Sequence, residues 1–356
     1  MAVVWRRVFT VLGLVGLCFF GIPIKVDKNP EIQKEELFKE FLQRFNKSYC
    51  INNKTEYAKH YNNFKESLKV IDELNQGRST NHSALYGITR YSDLSKEEFL
   101  HLYLQPRLHD HLHLKKQKQI HNSQKYYFGL SKRALVDDLP MHVDWREKNV
   151  ITEVRNQKTC GACWAFSTAA TVEAMYAIRT GILHKFSIQE LIDCAENGNS
   201  GCEGGDTCSL LEWLVDKKIN IVLDNEYPLV WRTQTCKLKG SEHVIKIASN
   251  FSCEYLVGSE DEILKLLAHH GPVAVAVNAL NWQNYLGGVI QFHCDGGPEH
   301  INHAVQIVGY NRSAPVPHYI VRNSWGAEFG HNGYLYIAIG SNLCGVATEV
   351  STLDVL

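Results

Sequence analysis

The stretch Gln157-Lys-Thr-Cys-Gly-Ala-Cys-Trp-Ala-Phe-Ser167 decides how the rest of the chain is interpreted. Within and after it, Trp164–Arg179 contains no Pro or Gly and is rich in apolar residues, which predicts a buried helix that ends before Gly181. Cys163 therefore falls at or next to a helix N-terminus, where the helix dipole favours negative charge. Because the thiolate is the nucleophilic form of cysteine, this position suits a reactive thiol, and the side-chain amide of Gln157 can turn back toward the same point.

Three other interpretations of the Cys160-x-x-Cys163 pair compete with this one. A zinc site would need a second Cys/His pair at zinc-finger spacing, which is missing, so no metal is expected. A thioredoxin-like redox pair requires a preceding strand in a βαβ unit. A purely structural disulfide remains open on the residues of this stretch alone.

Bulk composition narrows the class of protein. A chain of 356 residues is long enough for a leader followed by a two-lobed body. Its 37 Lys and Arg residues balance 38 Asp and Glu residues, and the formal charge of −1 without a dominant basic tract argues against a nucleic-acid partner. No cofactor is expected.

The one long apolar run of the sequence, Val8–Ile24, follows Arg6 and Arg7. This basic flank and the modest length predict a secretory signal peptide over residues 1–24, with an uncleaved signal anchor as the alternative. No later segment is apolar over a sufficient length to span a membrane, so no other membrane anchor is expected.

Cysteine usage and glycosylation signals agree with entry into the secretory pathway. Nine of the eleven cysteines come after residue 139, which suits disulfides formed in an oxidising lumen. The glycosylation candidates are five Asn-x-Ser/Thr sequons: Asn46, Asn53, Asn81, Asn250 and Asn311. The predicted localisation is therefore the lysosome or the outside of the cell.

Residues 25–104 have the character of a small helical domain. Two helices are predicted from apolar residues that recur on one face. The first face is Ile32, Leu37, Phe38, Phe41, Leu42 and Phe45, and the second is Tyr57, Tyr61, Phe64, Leu68, Ile71 and Leu74. A third helix is predicted over Leu94–Leu104, after a turn capped by Ser92 or Asp93.

Residues 105–138 predict an exposed linker, because the helical pattern fails there. Three alternating histidines fit metal binding or acid sensing, but a solvated connector is the favoured interpretation. These histidines are His109, His111 and His113. Proteolytic activation is expected in this linker or just before Leu139.

Residues 139–356 predict a compact body that is mainly helical up to about residue 245 and rich in strands beyond it. The predicted strands are Val273–Val277, Ala304–Val308, Tyr319–Arg322 and Tyr334–Ile337. A run of helices followed by a run of strands indicates an α+β fold with two packed lobes, 139–245 and 246–356.

A nucleophilic Cys163 requires a base and a group that orients the base. His303 opens a predicted apolar strand, where a base is held rigidly and can face a cleft. Asn323 follows another apolar strand and offers an amide oxygen to the imidazole, while Trp325 can exclude water from that bond. The chain has seventeen histidines, and a single histidine is more often structural than catalytic. These positions alone therefore do not establish that His303 is a catalytic base.

The motif Cys160-Gly-Ala-Cys-Trp164 resembles the Cys-Gly-Ser/Ala-Cys-Trp signature of papain and the cathepsins, in which His and Asn follow roughly 130–150 residues downstream. His303 lies 140 residues after Cys163, and Asn323 lies 160 residues after it, slightly outside that range. Further papain-like stretches, all in consistent order, are Val143–Trp145, Gly201–Gly205, Asn302–Ala304 and Asn323–Gly326. The resemblance covers Leu139 to about Ser351. It implies a papain-like two-lobed α+β fold with a helical left lobe and a β-barrel-like right lobe.

The leader resembles the inhibitory prosegment of the same family. Its interrupted helix signature is matched by Glu56, His60, Phe64, Ser67, Ile71 and Asn75, and the following motif by Gly87, Thr89, Tyr91 and Asp93. His60 and Ser67 depart from the family's Arg and Asn. Thr89 and Tyr91 depart from its Asn and Phe. The resemblance implies a zymogen whose own propeptide, residues 25–104, is an intramolecular inhibitor.

The chemistry that the resemblance implies is thiol-dependent cleavage of internal peptide bonds. Cys163 and His303 would form a thiolate–imidazolium pair, with Asn323 orienting His303. Gln157 and the Cys163 backbone N–H would form the oxyanion hole. Cys163 would attack the scissile carbonyl to give a thioester, which water would hydrolyse. No long insertion is visible near the ends of the expected cleft, which favours an endopeptidase.

The resemblance also implies three disulfides, namely Cys160–Cys202, Cys194–Cys236 and Cys294–Cys344. Cys160 is then structural and Cys163 is free. Cys208 and Cys253 have no partner in the family pattern, and both a fourth bridge and two buried thiols remain open. Cys50 is left over in the leader.

The substrate-binding positions that the resemblance implies are Gly161, Gly204, Gly205, Asp206, Thr207, Ala276, Ile301, Asn302, Ala304, Trp325 and Glu349. Gly204 and Gly205 are expected to present backbone to an extended substrate. One pocket would take the second residue before the cleaved bond, with Asp206 at its wall and Glu349 at its floor. These carboxylates suggest that it accepts Arg or Lys as well as apolar side chains. The alternative is that Glu349 points to solvent.

The expected partners are protein and peptide substrates and, from the resemblance, cystatin-like inhibitors, and a monomer is expected. Two rival functions are a binding protein whose leader blocks other cysteine proteases and a non-catalytic scaffold that keeps only the disulfide framework. All four catalytic positions carry competent residues, which favours an active enzyme. Within the family, the stretches Val154–Gln157 and Trp282–Gly288 look most like one branch of the cathepsins.

Overall fold

The computed structural model describes residues 30–48, 53–106, 108, 138–237 and 245–355. The predicted signal peptide lies outside the described residues, as do Cys50 and the linker histidines His109, His111 and His113. The chain divides into two compact units, the first ending at Tyr57 and the second beginning at Ala58. The second unit therefore includes the greater part of the predicted prosegment together with the body.

The leader contains three helices: α1 (Pro30–Arg44), α2 (Lys54–Gln76) and α3 (Lys96–Tyr103). Helix α3 is capped by Ser95, whose hydroxyl accepts from the Glu98 N–H while the Glu98 carboxylate accepts from the Ser95 N–H. The predicted capping of the preceding turn is confirmed for Ser92, whose hydroxyl accepts from the Thr89 N–H at 2.9 Å, whereas the cap of the helix itself is Ser95. Only Ser95 has an acidic residue three positions later, which is the requirement of this reciprocal arrangement.

The first half of the body is built on three helices: α4 (Cys163–Thr180), α5 (Ile188–Cys194) and α6 (Thr207–Asp216). Helix α4 ends at Gly181, which has a φ of 74° and donates its N–H to the Ala177 carbonyl. Every residue from Cys163 to Met175 is buried, as the apolar composition of this stretch predicts. The side chain of Asp206 caps α6 by accepting from a backbone N–H of its first turn.

Helix α7 (Asp261–His269) and nearly all the strands lie in the second half of the body. The strands in chain order are β1 (Leu85–Tyr86), β2 (His142–Asp144), β3 (Asn220–Ile221), β4 (Ile245–Glu254), β5 (Val273–Val277), β6 (Tyr285–Gly287), β7 (Val289–Ile290), β8 (His303–Asn311), β9 (His318–Arg322), β10 (Tyr334–Ala338) and β11 (Val350–Val355). All four strands predicted from the sequence are present.

The main sheet has the strand order β3-β4-β11-β5-β8-β9-β10-β7, and β2 also pairs with β8. Its end strands, β3 and β7, are each two residues long and do not pair with each other. In the described residues the sheet of the β lobe is therefore open. The lobe resembles a barrel, but its two short end strands do not close it. Strand β8 lies inside the sheet, with β5 and β9 antiparallel on either side.

The prosegment joins the body through backbone pairing. Strand β1 pairs antiparallel with β6 in a separate two-stranded sheet. Asn75, at the end of α2, holds β1 in place, because its amide donates to the Tyr86 carbonyl at 2.9 Å and accepts from the Tyr86 N–H at 3.1 Å.

The described residues contain four disulfides: Cys160–Cys202, Cys194–Cys236, Cys208–Cys253 and Cys294–Cys344. Of the two possibilities left open for Cys208 and Cys253, the structure contains the bridge. Within the described ranges, Cys163 is the free cysteine, and it is buried. No helix of the described chain combines the length and apolar character needed to cross a bilayer.

Candidate active site

Cys163 is the first residue of α4 and is fully buried in the precursor. Its sulfur accepts a hydrogen bond from the side-chain amide of Gln105 at 3.0 Å. The backbone N–H groups of Ala304 and Trp164 also interact with the sulfur. The thiol thus lies between the N-terminus of α4 and the start of β8.

His303, at the start of β8, is fully buried, and its Nε2 lies 2.8 Å from Oδ1 of Asn323, which follows β9. The Trp325 indole lies against the imidazole, with ring centroids 4.9 Å apart, and Trp282 contacts the same ring edge-on at 6.1 Å. These apolar rings shield the His303–Asn323 bond from water, as expected for Trp325. The imidazole Nδ1 has no protein partner in the described chain.

Burial sets the charges of this pair in the precursor. It raises the pKa of the Cys163 thiol to about 12, although the N–H groups around the sulfur oppose the rise. Burial lowers the pKa of His303 to about 4, against the opposing effect of the bond to Asn323. Between these values both groups are neutral, so the ion pair expected of the working enzyme is absent from the covered site.

Gln157 is buried, and both ends of its amide are bonded. Its Oε1 accepts from the Ser324 hydroxyl at 2.6 Å. This bond fixes the amide so that Nε2 donates to the carbonyls of Tyr103 and Cys160, at 3.3 and 3.1 Å. The Nε2 of Gln157 is therefore directed at a peptide carbonyl of the prosegment.

The prosegment lies directly against the thiol through Gln105. The Gln105 amide donates to Cys163 and, at 2.8 Å, to the Gly161 carbonyl, while its Oε1 accepts from the Gly205 N–H at 3.2 Å. Its backbone N–H donates to the Asn302 carbonyl at 2.7 Å. The predicted exposed linker is thus wrong for its first residue, because four hydrogen bonds hold Gln105 in the groove.

Gly204 permits this close approach, and the neighbouring Gly205 permits close packing on Trp164. Gly204 has a φ of 125°, and a Cβ there would lie 3.3 Å from the Gln105 amide oxygen. A Cβ on Gly205 would lie 2.6 Å from the ring of Trp164. That these two glycines present backbone to an extended substrate stays a prediction.

Leu108, which is buried rather than exposed, lies beside two of the residues predicted to line the specificity pocket. Its side chain packs against Ala276 and Ile301. Glu349 is buried, and its Oε1 accepts from the Thr207 hydroxyl at 3.0 Å. The alternative in which Glu349 points to solvent is therefore wrong. Asp206 is 1 % exposed, and its side chain accepts the hydrogen bond that caps the N-terminus of α6.

An aromatic cluster docks the prosegment on the far side of the thiol. The rings of Tyr91 and Phe99 contact Trp325, with centroids 5.9 and 5.4 Å away, and Tyr103 packs on both prosegment rings. Gln283 donates to the carbonyls of Tyr91 and Leu94, at 2.8 and 2.9 Å. Tyr91, which stands where the family pattern has Phe, thus makes apolar ring contacts in the docked prosegment.

The other prosegment departures also make defined contacts. The Thr89 hydroxyl donates to the Gln283 carbonyl at 2.5 Å. His60 Nδ1 lies 2.9 Å from the Asp93 carbonyl oxygen and 3.4 Å from its carboxylate. Ser67 is buried on α2. These residues therefore contribute to the docked prosegment despite their difference from the family pattern.

A buried thiol at a helix start, a histidine oriented by an asparagine, and a leader segment lying through the groove together define a cysteine peptidase precursor. The chain belongs to the papain family of cysteine proteases, whose model matches residues 139–353. A second model, the cathepsin propeptide inhibitor domain (I29), matches residues 38–99. The protein is accordingly a zymogen of a cysteine endopeptidase.

The relatives agree with the resemblance of Val154–Gln157 and Trp282–Gly288 to a cathepsin branch, which is that of cathepsin O. Cathepsin O of Homo sapiens is 40% identical over 293 residues, which cover 82% of this chain and 87% of the relative. Cathepsin O of Mus musculus is 37% identical over 297 residues, with coverages of 82% and 88%.

Among solved structures, the digestive procathepsin L 3 of Tenebrio molitor larval midgut has a TM-score of 0.74 and 29% identity, and the match covers 90% of this chain and 99% of that one. A recombinant stem bromelain precursor gives the same TM-score and coverages at 27% identity.

Sequence reasoning missed two residues of the site. Ser324, which fixes the amide of Gln157, stands in the quoted stretch Asn323–Gly326, so the motif contained a signal for it. The sequence contained no signal for Gln105, because a glutamine that ends a helical pattern looks the same as the first residue of a linker.

Proposed function

We propose that Cys163 is the nucleophile of this cysteine protease, that His303 is its acid and base, and that Asn323 orients His303. Gln157 Nε2 and the Cys163 backbone N–H are the proposed oxyanion donors. The observation that carries the proposal is the convergence on one groove of the thiol, the Asn323-bonded imidazole and an amide already bonded to a peptide carbonyl.

The proposed reaction begins when the prosegment leaves and the pair ionises. The thiolate of Cys163 attacks the scissile carbonyl carbon, the negative charge develops on its oxygen, and the C–N bond breaks as His303 gives its proton to the leaving amine. Water then attacks the thioester, His303 takes a proton from it, and the C–S bond breaks. The products are an amine, a carboxylic acid and the regenerated enzyme.

Inhibition by the prosegment is proposed to follow from the chemical group that it places against the Cys163 sulfur. The group facing Cys163 is the NH₂ of a side-chain amide, which donates a hydrogen bond and is no electrophile. The prosegment therefore occupies the groove without placing a scissile carbon at the nucleophile. Residues 25–104, with Gln105 and Leu108 beyond them, are the proposed inhibitory segment, and cleavage between 109 and 138 is the proposed activation step.

The proposed specificity pocket lies beside Ala276, Ile301 and Ala304. Leu108 supports an apolar preference, since it packs against Ala276 and Ile301 in the precursor. The buried Glu349 supports acceptance of Arg or Lys as well. Cleavage of Phe-Arg and Arg-Arg reporter peptides by the processed enzyme tests this point. Glu349→Ala is expected to lower the Arg-Arg/Phe-Arg ratio, and an unchanged ratio removes the carboxylate from the specificity.

Entry into the secretory pathway, with the lysosome or the cell exterior as destination, is also proposed. Four sequon asparagines are exposed: Asn46, Asn53, Asn81 and Asn250. Asn311 is half-buried, and its side-chain oxygen accepts from the Ser313 and Ala314 N–H groups, both at 3.0 Å. Glycosidase treatment of the protein from a secreting cell is expected to lower its mass, with Asn311 the least occupied site. A monomeric state and inhibition by cystatin-like proteins belong to the same proposal.

The catalytic proposal is tested by titrating the processed protein with E64, the inhibitor present in one bromelain structure. One equivalent is expected to be consumed at Cys163 with loss of peptide hydrolysis, and Cys163→Ala is expected to consume none. Failure of the wild-type protein to react or to cleave peptides would favour the scaffold or the inhibitory protein instead.

A further inference from the structure

The disulfide Cys208–Cys253 joins the two halves of the body beside the specificity pocket. Cys208 is the second residue of α6, and Cys253 lies on β4. Each of the other three bridges in the described chain stays within one half, either 139–245 or 246–356. The family pattern described above assigns no partner to these two cysteines.

Each cysteine of the bridge neighbours a residue that takes part in the hydrogen bonds of the Thr207 hydroxyl. Thr207, the residue before Cys208, donates its hydroxyl to Glu349 Oε1 at 3.0 Å. Cys253 is opposite Ser351 in the β4–β11 register, and Ser351 Oγ lies 3.3 Å from Thr207 Oγ1. The Thr207 hydroxyl is therefore hydrogen-bonded to Glu349 and to Ser351. The disulfide lies next to it through Cys208 in the sequence and through Cys253, the strand partner of Ser351.

These contacts affect Glu349, the residue proposed for the floor of the pocket. The backbone carbonyl of Glu349 accepts from the Ala276 N–H at 3.1 Å, so the same residue is anchored to β5, which carries a pocket wall. Its carboxylate oxygen is anchored to Thr207, which belongs to the first turn of α6. Helix ends fray, and a hydrogen bond to a first-turn side chain loses its geometry when that turn moves.

We propose that the Cys208–Cys253 bridge is a positioning element for substrate specificity. It fixes the first turn of α6 against β4, which holds the Thr207 hydroxyl and, through it, the Glu349 carboxylate at the pocket floor. The substrates that it favours are peptides with Arg or Lys as the second residue before the cleaved bond. This inference rests on the proposed function, because it concerns the selectivity of that pocket.

The test compares processed wild-type enzyme with the double variant Cys208→Ser/Cys253→Ser. The reporters are the Phe-Arg and Arg-Arg peptides, which share the residue at the cleaved bond and differ only in the residue before it. We expect the Arg-Arg/Phe-Arg ratio of kcat/KM to fall roughly 3- to 10-fold, the scale of one weakened hydrogen bond, mainly through KM. Because the assay needs a reductant to keep Cys163 as a thiol, mass spectrometry verifies that the bridge is intact in the wild-type sample.

The matched control is Cys194→Ser/Cys236→Ser, which opens a bridge of nearly the same span, 42 residues against 45. Both variants are expected to lose thermal stability, since each loop is long, but only the first is expected to change the ratio. An equal change of the ratio in both variants, or no change in either, overturns the proposal and leaves the bridge a purely stabilising one.

A second pair of variants keeps the bridge and covers the case in which the double variant does not fold. Thr207→Val removes the hydroxyl at nearly constant shape and is expected to lower the ratio, whereas Thr207→Ser retains the hydroxyl and is expected to keep it. A Thr207→Val enzyme with the wild-type ratio contradicts the proposal. Wild-type enzyme that cleaves neither reporter contradicts the proposed function itself, so the two failures are distinguishable.

Discussion

At the scale of single residues, the charge of the proposed catalytic pair is governed by the burial that the prosegment imposes on it. The thiol of Cys163, with its pKa raised to about 12, and the imidazole of His303, with its pKa lowered to about 4, are both neutral over the physiological range. A neutral thiol is a poor nucleophile. In the proposed mechanism, the prosegment suppresses the chemistry in two ways: it blocks the groove, and it removes the solvation that an ion pair needs.

The buried His303 makes the covered state sensitive to acid. Its pKa is about 4 in the precursor, whereas an exposed or unfolded histidine takes up a proton below about pH 6.5. The unfolded state therefore binds more protons between these values, and the free energy of unfolding falls as the pH drops from about 6.5 to about 4. The loss is on the order of 3 kcal/mol for this group, since one pKa unit corresponds to about 1.4 kcal/mol.

Urea unfolding of the precursor with Cys163→Ala, which prevents self-cleavage, measures this dependence. Burial also lowers the pKa values of His270 and His318, so the comparison is with the same protein carrying His303→Gln. The variant is expected to show a shallower fall in stability over the same pH range. Identical slopes would mean that His303 does not contribute.

Gln105 is expected to control access to the thiol. Gln105→Ala removes the hydrogen bonds to Cys163, Gly161 and Gly205, so the precursor should be alkylated at Cys163 about tenfold faster or more, as expected for the loss of hydrogen bonds worth about 1 kcal/mol each. Mass spectrometry after iodoacetamide treatment measures the rate. Gln76→Ala, at an exposed position at the end of α2, is the control and should leave the rate unchanged.

Gln157 is expected to act on the rate of the chemical step. In the processed enzyme, Gln157→Ala should lower kcat about 10²- to 10³-fold with little change in KM, as for the loss of one oxyanion donor. Ser324→Ala should give a smaller loss, because it only frees the Gln157 amide to rotate. Steady-state kinetics on one reporter peptide checks both variants, and a Ser324→Ala loss larger than that of Gln157→Ala would contradict the assigned roles.

At the scale of elements, the aromatic cluster formed by Tyr91 and helix α3 is one of the contacts that hold the prosegment on the body. Tyr91 contacts Phe99, Tyr103 and Trp325, so Tyr91→Ala removes a large buried ring from the centre of the cluster. Truncation of a buried aromatic residue costs about 3–5 kcal/mol. The variant precursor should therefore convert to active enzyme much faster at a given pH. Leu102→Ala, which truncates an exposed residue of α3, should not do so, and equal conversion rates would exclude the cluster as an anchor.

The elements also differ in how well the sequence predicts them. Helix α4 was predictable because an uninterrupted apolar stretch ended at a glycine. The four strands β5, β8, β9 and β10 were predictable from their apolar runs. Strands β4 and β11 escaped prediction, since their residues, such as Asn250, Ser252 and Thr352, mix polar and apolar types without clear alternation. Their pairing is set by partners distant in the chain.

At the scale of the whole molecule, the motifs around Cys163, His303 and Asn323 were sufficient to predict the family, its fold and its precursor form. Contacts between distant segments that no family motif marks were not predictable. The position of Gln105 depends on the path of the prosegment through the groove, and the Cys208–Cys253 bridge depends on α6 packing against β4. Neither leaves a local pattern in the sequence, because each is decided by packing between parts of the chain that are far apart.

The central claim, that Cys163 is a nucleophile kept neutral until the prosegment leaves, is tested most directly by its alkylation rate as a function of pH. The precursor should react slowly at pH 6, with a rate that rises only in the alkaline range. The processed enzyme should react more than about 100-fold faster at pH 6, and His303→Ala should abolish that gain. Equal rates at pH 6 before and after processing, or an unreactive Cys163 in the processed enzyme, would contradict the account.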